Sequence, residues 1–215
     1  MEKQILKPSL AVLAALTCTL PAEAQTAEEP KAITPYADIR YRLELVGQDG
    51  LPENATASTL RVRAGFKTRE WSGFSALVEG DAIARVGPRH YNDTVNGLTA
   101  YPIVADPSDV LLNQAWLRYK PVKEVEAALG RQTVNFDNQR WIGSVGWRQN
   151  DQTLDAARVT IKPMKGVAVD YGYAWRVNRI FGPDSPQGIW RDNNIHMVRA
   201  NFEAKPVGTV TTYGY

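Results

Sequence analysis

The chain has 215 residues, a formal charge of +2 and one cysteine, with 44% hydrophobic and 22% charged residues. That balance is globular rather than disordered, and the charge is too small to argue for a nucleic-acid partner. Beyond the N-terminus no run of about 18 apolar residues predicts a helical membrane span, a test that a β-barrel escapes because its spans alternate.

Residues 1–24 read as a secretory signal: Lys3 and Lys7 supply the charge, 10–20 the apolar segment, and Ala22-Glu23-Ala24 an A-x-A cleavage site. Cys18 lies inside that segment, so the exported chain is expected to lack disulfides, Cys-ligated zinc and a Cys nucleophile. A flexible lead, 25–35, then gives way to period-two patterning over 36–215. In 36–46, Ile39, Tyr41, Leu43 and Leu45 oppose Asp38, Arg40, Arg42 and Glu44. In 59–69, Leu60, Val62, Ala64 and Phe66 oppose Arg61, Arg63, Gly65 and Lys67, and in 74–85 Phe74, Ala76, Val78, Ala82 and Ala84 oppose Ser75, Glu79 and Asp81, with Leu77 and Ile83 blurring the polar side. Successive strand side chains point to opposite faces, so each segment has one oily and one wet side.

The pattern resumes at 112–120, where Ala115, Leu117 and Tyr119 oppose Gln114, Trp116 and Arg118. In 124–134, Val125, Ala127 and Leu129 make the oily side; Arg131 shares their parity, so either the strand bulges near Gly130 or the arginine sits at its end. In 153–162, Ala157, Val159 and Ile161 oppose Arg158, Thr160 and Lys162. The clearest stretch is 167–181: Val167, Val169, Tyr171, Tyr173, Trp175 and Val177 against Ala168, Asp170, Gly172, Ala174, Arg176 and Asn178. Its length matches the roughly 9 to 11 residues of a transmembrane strand, and its aromatic end fits an interfacial girdle. An eighth strand, 194–205, and the start of a ninth, 209–215, complete the series.

The links decide between a soluble sandwich and a membrane barrel. Those after the second, fourth, sixth and eighth strands are tight, while the others are long and rich in Pro, Asp, Asn and Gly. In an up-and-down meander alternate links share a rim, and short turns on one rim with long loops on the other describe an outer-membrane barrel. A sandwich has no reason to sort loop lengths by parity. The expected fold is therefore all-β: an antiparallel up-and-down outer-membrane barrel with its apolar face to lipid. About nine strands against the even number of a bacterial single-chain barrel predicts an incomplete one.

The stretches LNQAWLRYKP, ALGRQTVNFDNQRWIGSVGWRQNDQTLDAARV and DYGYAWRVNRIFG resemble the alginate-export family of bacterial outer-membrane proteins. The resemblance covers most of the exported chain and implies a barrel longer than this one, passing an anionic uronate polysaccharide through an arginine-rich pore. It adds Arg131, from LGRQ, to the candidate residues.

Parity selects the rest. Mid-strand Arg63, Arg118, Arg158 and Arg176 fall on the wet face, with Glu79 and Asp170 as counter-charges; Trp116 shares that face, where packing under an infolded loop is the simpler account and stacking on a sugar the sharper one. Charges of both signs line any porin and order its interior; the sharper expectation is an electropositive track that grips carboxylates. Trp71 and Trp175 read as interface anchors, and Trp141, Trp147 and Trp190 as loop residues packing inward as a plug. No enzyme is read: His90 and His196 lack any H-E-x-x-H or G-x-S-x-G context, and His196 has no serine two residues away for a lipase pair. Asp93, Asp106 and Asp109 could hold calcium, but a solvated acidic loop is the simpler account. No cofactor or metal is expected. The predicted role is passive transport or export of an anionic polysaccharide or small organic acid, in contact with outer-membrane lipid and periplasmic export partners. A general diffusion porin, a structural envelope barrel and an outer-membrane lipase are the alternatives.

Overall fold

The computed structural model describes residues 32–215; the signal segment 1–24 and most of the lead 25–35 lie outside the described residues. Among these residues there is no helix. The strands are β1 (Ile33–Val46), β2 (Ala55–Thr68), β3 (Phe74–Arg85), β4 (Asp109–Val122), β5 (Val125–Gln132), β6 (Thr153–Met164), β7 (Val167–Asn178), β8 (Ile189–Trp190), β9 (Ile195–Ala204) and β10 (Gly208–Gly214). Each pairs with the next in a single antiparallel sheet, β1-β2-β3-β4-β5-β6-β7-β9-β10, with β8 a two-residue addition to β7. Nine strands form the path as expected, and β8 falls where the sequence reads only an irregular loop. The path is not closed: among the described residues β1 and β10 each have one strand neighbour.

Links 69–73, 123–124, 165–166 and 205–207 alternate with 47–54, 86–108, 133–152 and 179–194, so short and long connections do segregate to opposite rims. β1, β2 and β4 each run 14 residues, longer than the roughly 9 to 11 that a tilted transmembrane strand needs.

Burial is inverted relative to a water-soluble protein. Ile39, Phe66 and Leu129 are 70%, 60% and 56% exposed, while Thr59 and Asp81 are 0% and 1% exposed. An ordinary soluble domain buries the first kind of residue and exposes the second. Apolar surface left in water forfeits about 25 cal/mol per Å², and a patch spanning a whole sheet is beyond what soluble monomers show. Leu77 and Ile83, which blur the pattern of β3, are buried on the polar side. Aromatic rings gather toward the rims of the apolar face. Phe74 stacks on Tyr119 at 4.3 Å beside the short turns, and Tyr173 lies 6.3 Å from Trp175 and 5.1 Å from His196 toward the long loops.

Two places break simple alternation. Between Asp155 and Ala156 the β6·β7 register shifts, with Ala156 opposite Ala174 but Asp155 opposite Arg176. The extra residue of this bulge puts Val177 into the buried cluster with Phe136, Ala156 and Met197 and turns Arg176 to the outer side with Trp175. A second shift, Glu79 opposite Gln114 but Gly80 opposite Leu112, sends Asn113 inward. At Gly130 there is no shift: Arg131 pairs with Asp155 and keeps the outward parity of Leu129 near the end of β5. Gly130 itself has φ +118°, and a Cβ there would meet the Ala115 carbonyl oxygen at 2.3 Å, so only glycine fits. Gly65 answers a different need: its missing side chain lets the ring of Tyr36 lie across it and reach Glu79.

Candidate functional site: the polar inner face

Loop 133–152 gathers the inner face. Phe136 and Val134 pack on Leu154, Ala156, Ala174 and Met197 of β6, β7 and β9. One residue further, Asp137 accepts hydrogen bonds from Arg199 of β9 and from the Tyr213 hydroxyl of β10. At its other end the loop reaches β1 and β2. The Gln149 amide donates to Thr59 at 3.0 and 3.2 Å and accepts from Arg40 at 3.1 Å, while Arg40 also donates to the carbonyls of Gly146 and Arg148. One loop thus touches both ends of the strand order, which curls the sheet around it with the polar side inward. Loop 86–108 is turned in as well: Tyr91 and Val104 pack on Ala55 and Ala57 of β2, and Asp106 accepts from Arg42 at 2.6 Å and from the Gln149 N–H at 3.2 Å.

The inner face beneath these loops is a ladder of ion pairs. Arg63 grips Asp81 bidentately, both contacts at 2.7 Å, with Asp151 at 2.8 Å and Glu79 at 3.8 Å. Glu79 also accepts from Tyr36, Asn113 and Gln114. Arg158 and Arg199 share Asp170, at 3.3 and 3.1 Å, which also accepts from Thr160 at 2.6 Å. Buried charges are tolerable only when paired and hydrogen-bonded in this way. Arg118 is freer: its side chain is 37% exposed, with Glu126 at 3.2 Å and its guanidinium 4.4 Å over the ring of Trp116. Lys67 and Lys162 are exposed on the same side toward the short turns.

The predicted residues therefore divide. Arg63, Arg118, Arg158, Glu79, Asp170 and Trp116 lie together on the inner face. Arg131 and Arg176 do not. They meet on the outer face, where Asp155 accepts two bonds from Arg131 and stands 3.6 Å from Arg176. The β7 bulge accounts for Arg176, and unbroken parity for Arg131.

Other expectations resolve locally. Asp93, Asp106 and Asp109 do not converge, and among the described residues no group of three acidic or His residues could hold a metal. Asp106 is buried under Arg42 rather than solvated. His196 bonds to the Tyr171 hydroxyl at 2.8 Å and to Asn194 at 3.2 Å, not to a serine. Trp147 has Arg42 and Arg148 over its ring at 4.7 and 4.1 Å, yet it is exposed, as are Trp141 and Trp190, so the three do not pack inward as expected. Asp137, Gln149 and Asp106, which organise the face, carry no periodic signal, because they act from loops.

Comparison with protein families matches the family model described as alginate export over residues 38–179. A comparison with curated proteins finds no match. Alginate export is a transport function rather than an enzymatic one.

Proposed function

The chain belongs to the alginate-export family, and from that premise we propose that its strands wall an outer-membrane channel for passive transport or export of an anionic polysaccharide or small organic acid. The observation that carries this reading is the inversion of burial: ionised groups line the inner side and the apolar side chains stand outside. The short turns then face the periplasm, where export partners would meet the protein, and the long loops face outward. Residues 1–24 would deliver the chain across the inner membrane.

Selectivity is read from where the charges are balanced. Arg63, Arg158 and Arg199 are each matched by a carboxylate. Arg118, level with Arg158 but more exposed, and the exposed Lys67 and Lys162 make the basic surface of the inner face, with Glu126 as the counter-charge beside Arg118. Guanidinium groups stay charged and grip carboxylates bidentately, and low-dielectric walls focus their field on a passing anion. Trp116 is buried with the Arg118 guanidinium over its ring, so it supports that arginine.

Reversal potentials in planar bilayers, measured on the closed barrel to which these strands belong, test this. The expected result is anion preference, reduced in Arg118→Ala. Equal permeability for both ions, unchanged by Arg118→Ala or Arg158→Ala, would favour a general diffusion porin, a reading supported by the dense ion pairing of Arg63 and Arg158. Absence of conductance would overturn the channel.

A further inference from the structure

The outer face has a site of its own. Two cross-strand rows cross β4 to β7: Tyr119, Ala127, Val159 and Tyr171 in one, Leu117, Leu129, Ala157 and Tyr173 in the next. Ala127 and Ala157 lower the middle of these rows between higher walls, leaving an apolar outward groove of about 440 Å³. The third row, toward the long loops, changes character. Arg131 and Asp155 pair at 2.7 and 3.1 Å, and the β7 bulge brings Arg176 beside them.

Arg131 is spent on Asp155 and the Leu112 carbonyl. Arg176 is not: it stands 3.6 Å from Asp155 with its side chain 35% exposed, and among the described residues none accepts a hydrogen bond from it. A guanidinium with free donors, in a locally net-positive cluster, sits about 7 Å along the strands from the groove, two residues at roughly 3.4 Å each.

We propose that this is a binding site for a phosphate-bearing anionic lipid of the leaflet on the long-loop side, its phosphate on Arg176 and one acyl chain in the groove over Ala157. Charge complementarity selects the occupant. A second copy of the chain would bring another apolar face and leave Arg176 desolvated without an acceptor, at a real cost. A phosphate supplies the strong acceptors that a guanidinium matches, and an acyl chain fills the hollow that the two alanines leave. The inference rests on the membrane reading above but not on conduction.

Native mass spectrometry of the detergent-extracted, delipidated protein titrated with phosphatidylglycerol or phosphatidylcholine of identical chains tests it. The expected result is one retained phosphatidylglycerol per chain, bound about tenfold more tightly than phosphatidylcholine. Arg176→Gln should bring the two lipids to near parity, and Ala157→Trp, which fills the groove, should weaken both. Equal retention of both lipids by the unaltered protein would overturn the site. So would an unchanged preference in Arg176→Gln, a dimer that excludes lipid, or equal competition by inorganic phosphate. Arg176→Gln alone decides the matter if Ala157→Trp fails to fold. Bilayer conductance of the same samples keeps the questions apart: lipid preference without conductance sinks only the channel, and conductance without lipid preference sinks only this site.

Discussion

Asp137 is nearly solvent-exposed, yet Arg199 and the Tyr213 hydroxyl donate to it and hold its pKa at about 2. An unfolded aspartate titrates near 3.9. Its folded value is therefore depressed, and its contribution is complete above about pH 4 and lost as pH falls through about 2. Loop 133–152 should stay clasped to β9 and β10 between pH 7 and 4, and Asp137→Asn should loosen it at pH 7. Single-channel records check this: the unaltered protein should keep one conductance over that range, and Asp137→Asn should show a larger or noisier one. Val145, in the same loop, has φ +55°, a conformation that a β-branched residue adopts only under strain. Val145→Asn, which tolerates that region, should raise the thermal stability by up to about 1 kcal/mol.

Among strands, what alternation can express was legible and what it cannot express was not. The faces of β1, β2 and β6 follow from the order of Arg, Asp and aliphatic residues, because a two-residue period has one solution once one side is oily. Arg176 was misplaced because a bulge inserts a residue without changing composition; only Val177, apolar yet buried inside, records the shift. The same principle gives a directional prediction for β4. Leu117→Arg puts a charge on the lipid side and should cost about 2–4 kcal/mol if that level is the bilayer centre. Gln114→Arg, on the inner side, should cost far less. Folding equilibria in lipid vesicles with urea measure both. Equal penalties would contradict the assignment of faces.

For the whole molecule, the most informative sequence feature was the sorting of links by length, which recurs in the structure as 69–73, 123–124, 165–166 and 205–207 against four longer connections. The candidate site was only half legible. Arg63, Arg118 and Arg158 could be placed by parity, but Asp137, Gln149 and Asp106, which draw two loops across the inner face, come from segments without period. Their contacts appear only once distant strands have been curled together. Cation pairing was likewise invisible, since Asp151 reaches Arg63 from a loop 88 positions away in the chain.

The central claim is that lipid lies on one side of these strands and water on the other. Single cysteines from 114 to 119, in a chain whose own Cys18 has been replaced, can be labelled in vesicles with a probe that a nitroxide in the acyl region quenches and that aqueous iodide quenches separately. The account predicts lipid quenching at 115, 117 and 119 and aqueous quenching at 114, 116 and 118. Protection of both sets from both quenchers, as in two sheets packed about a dry interior, would contradict it.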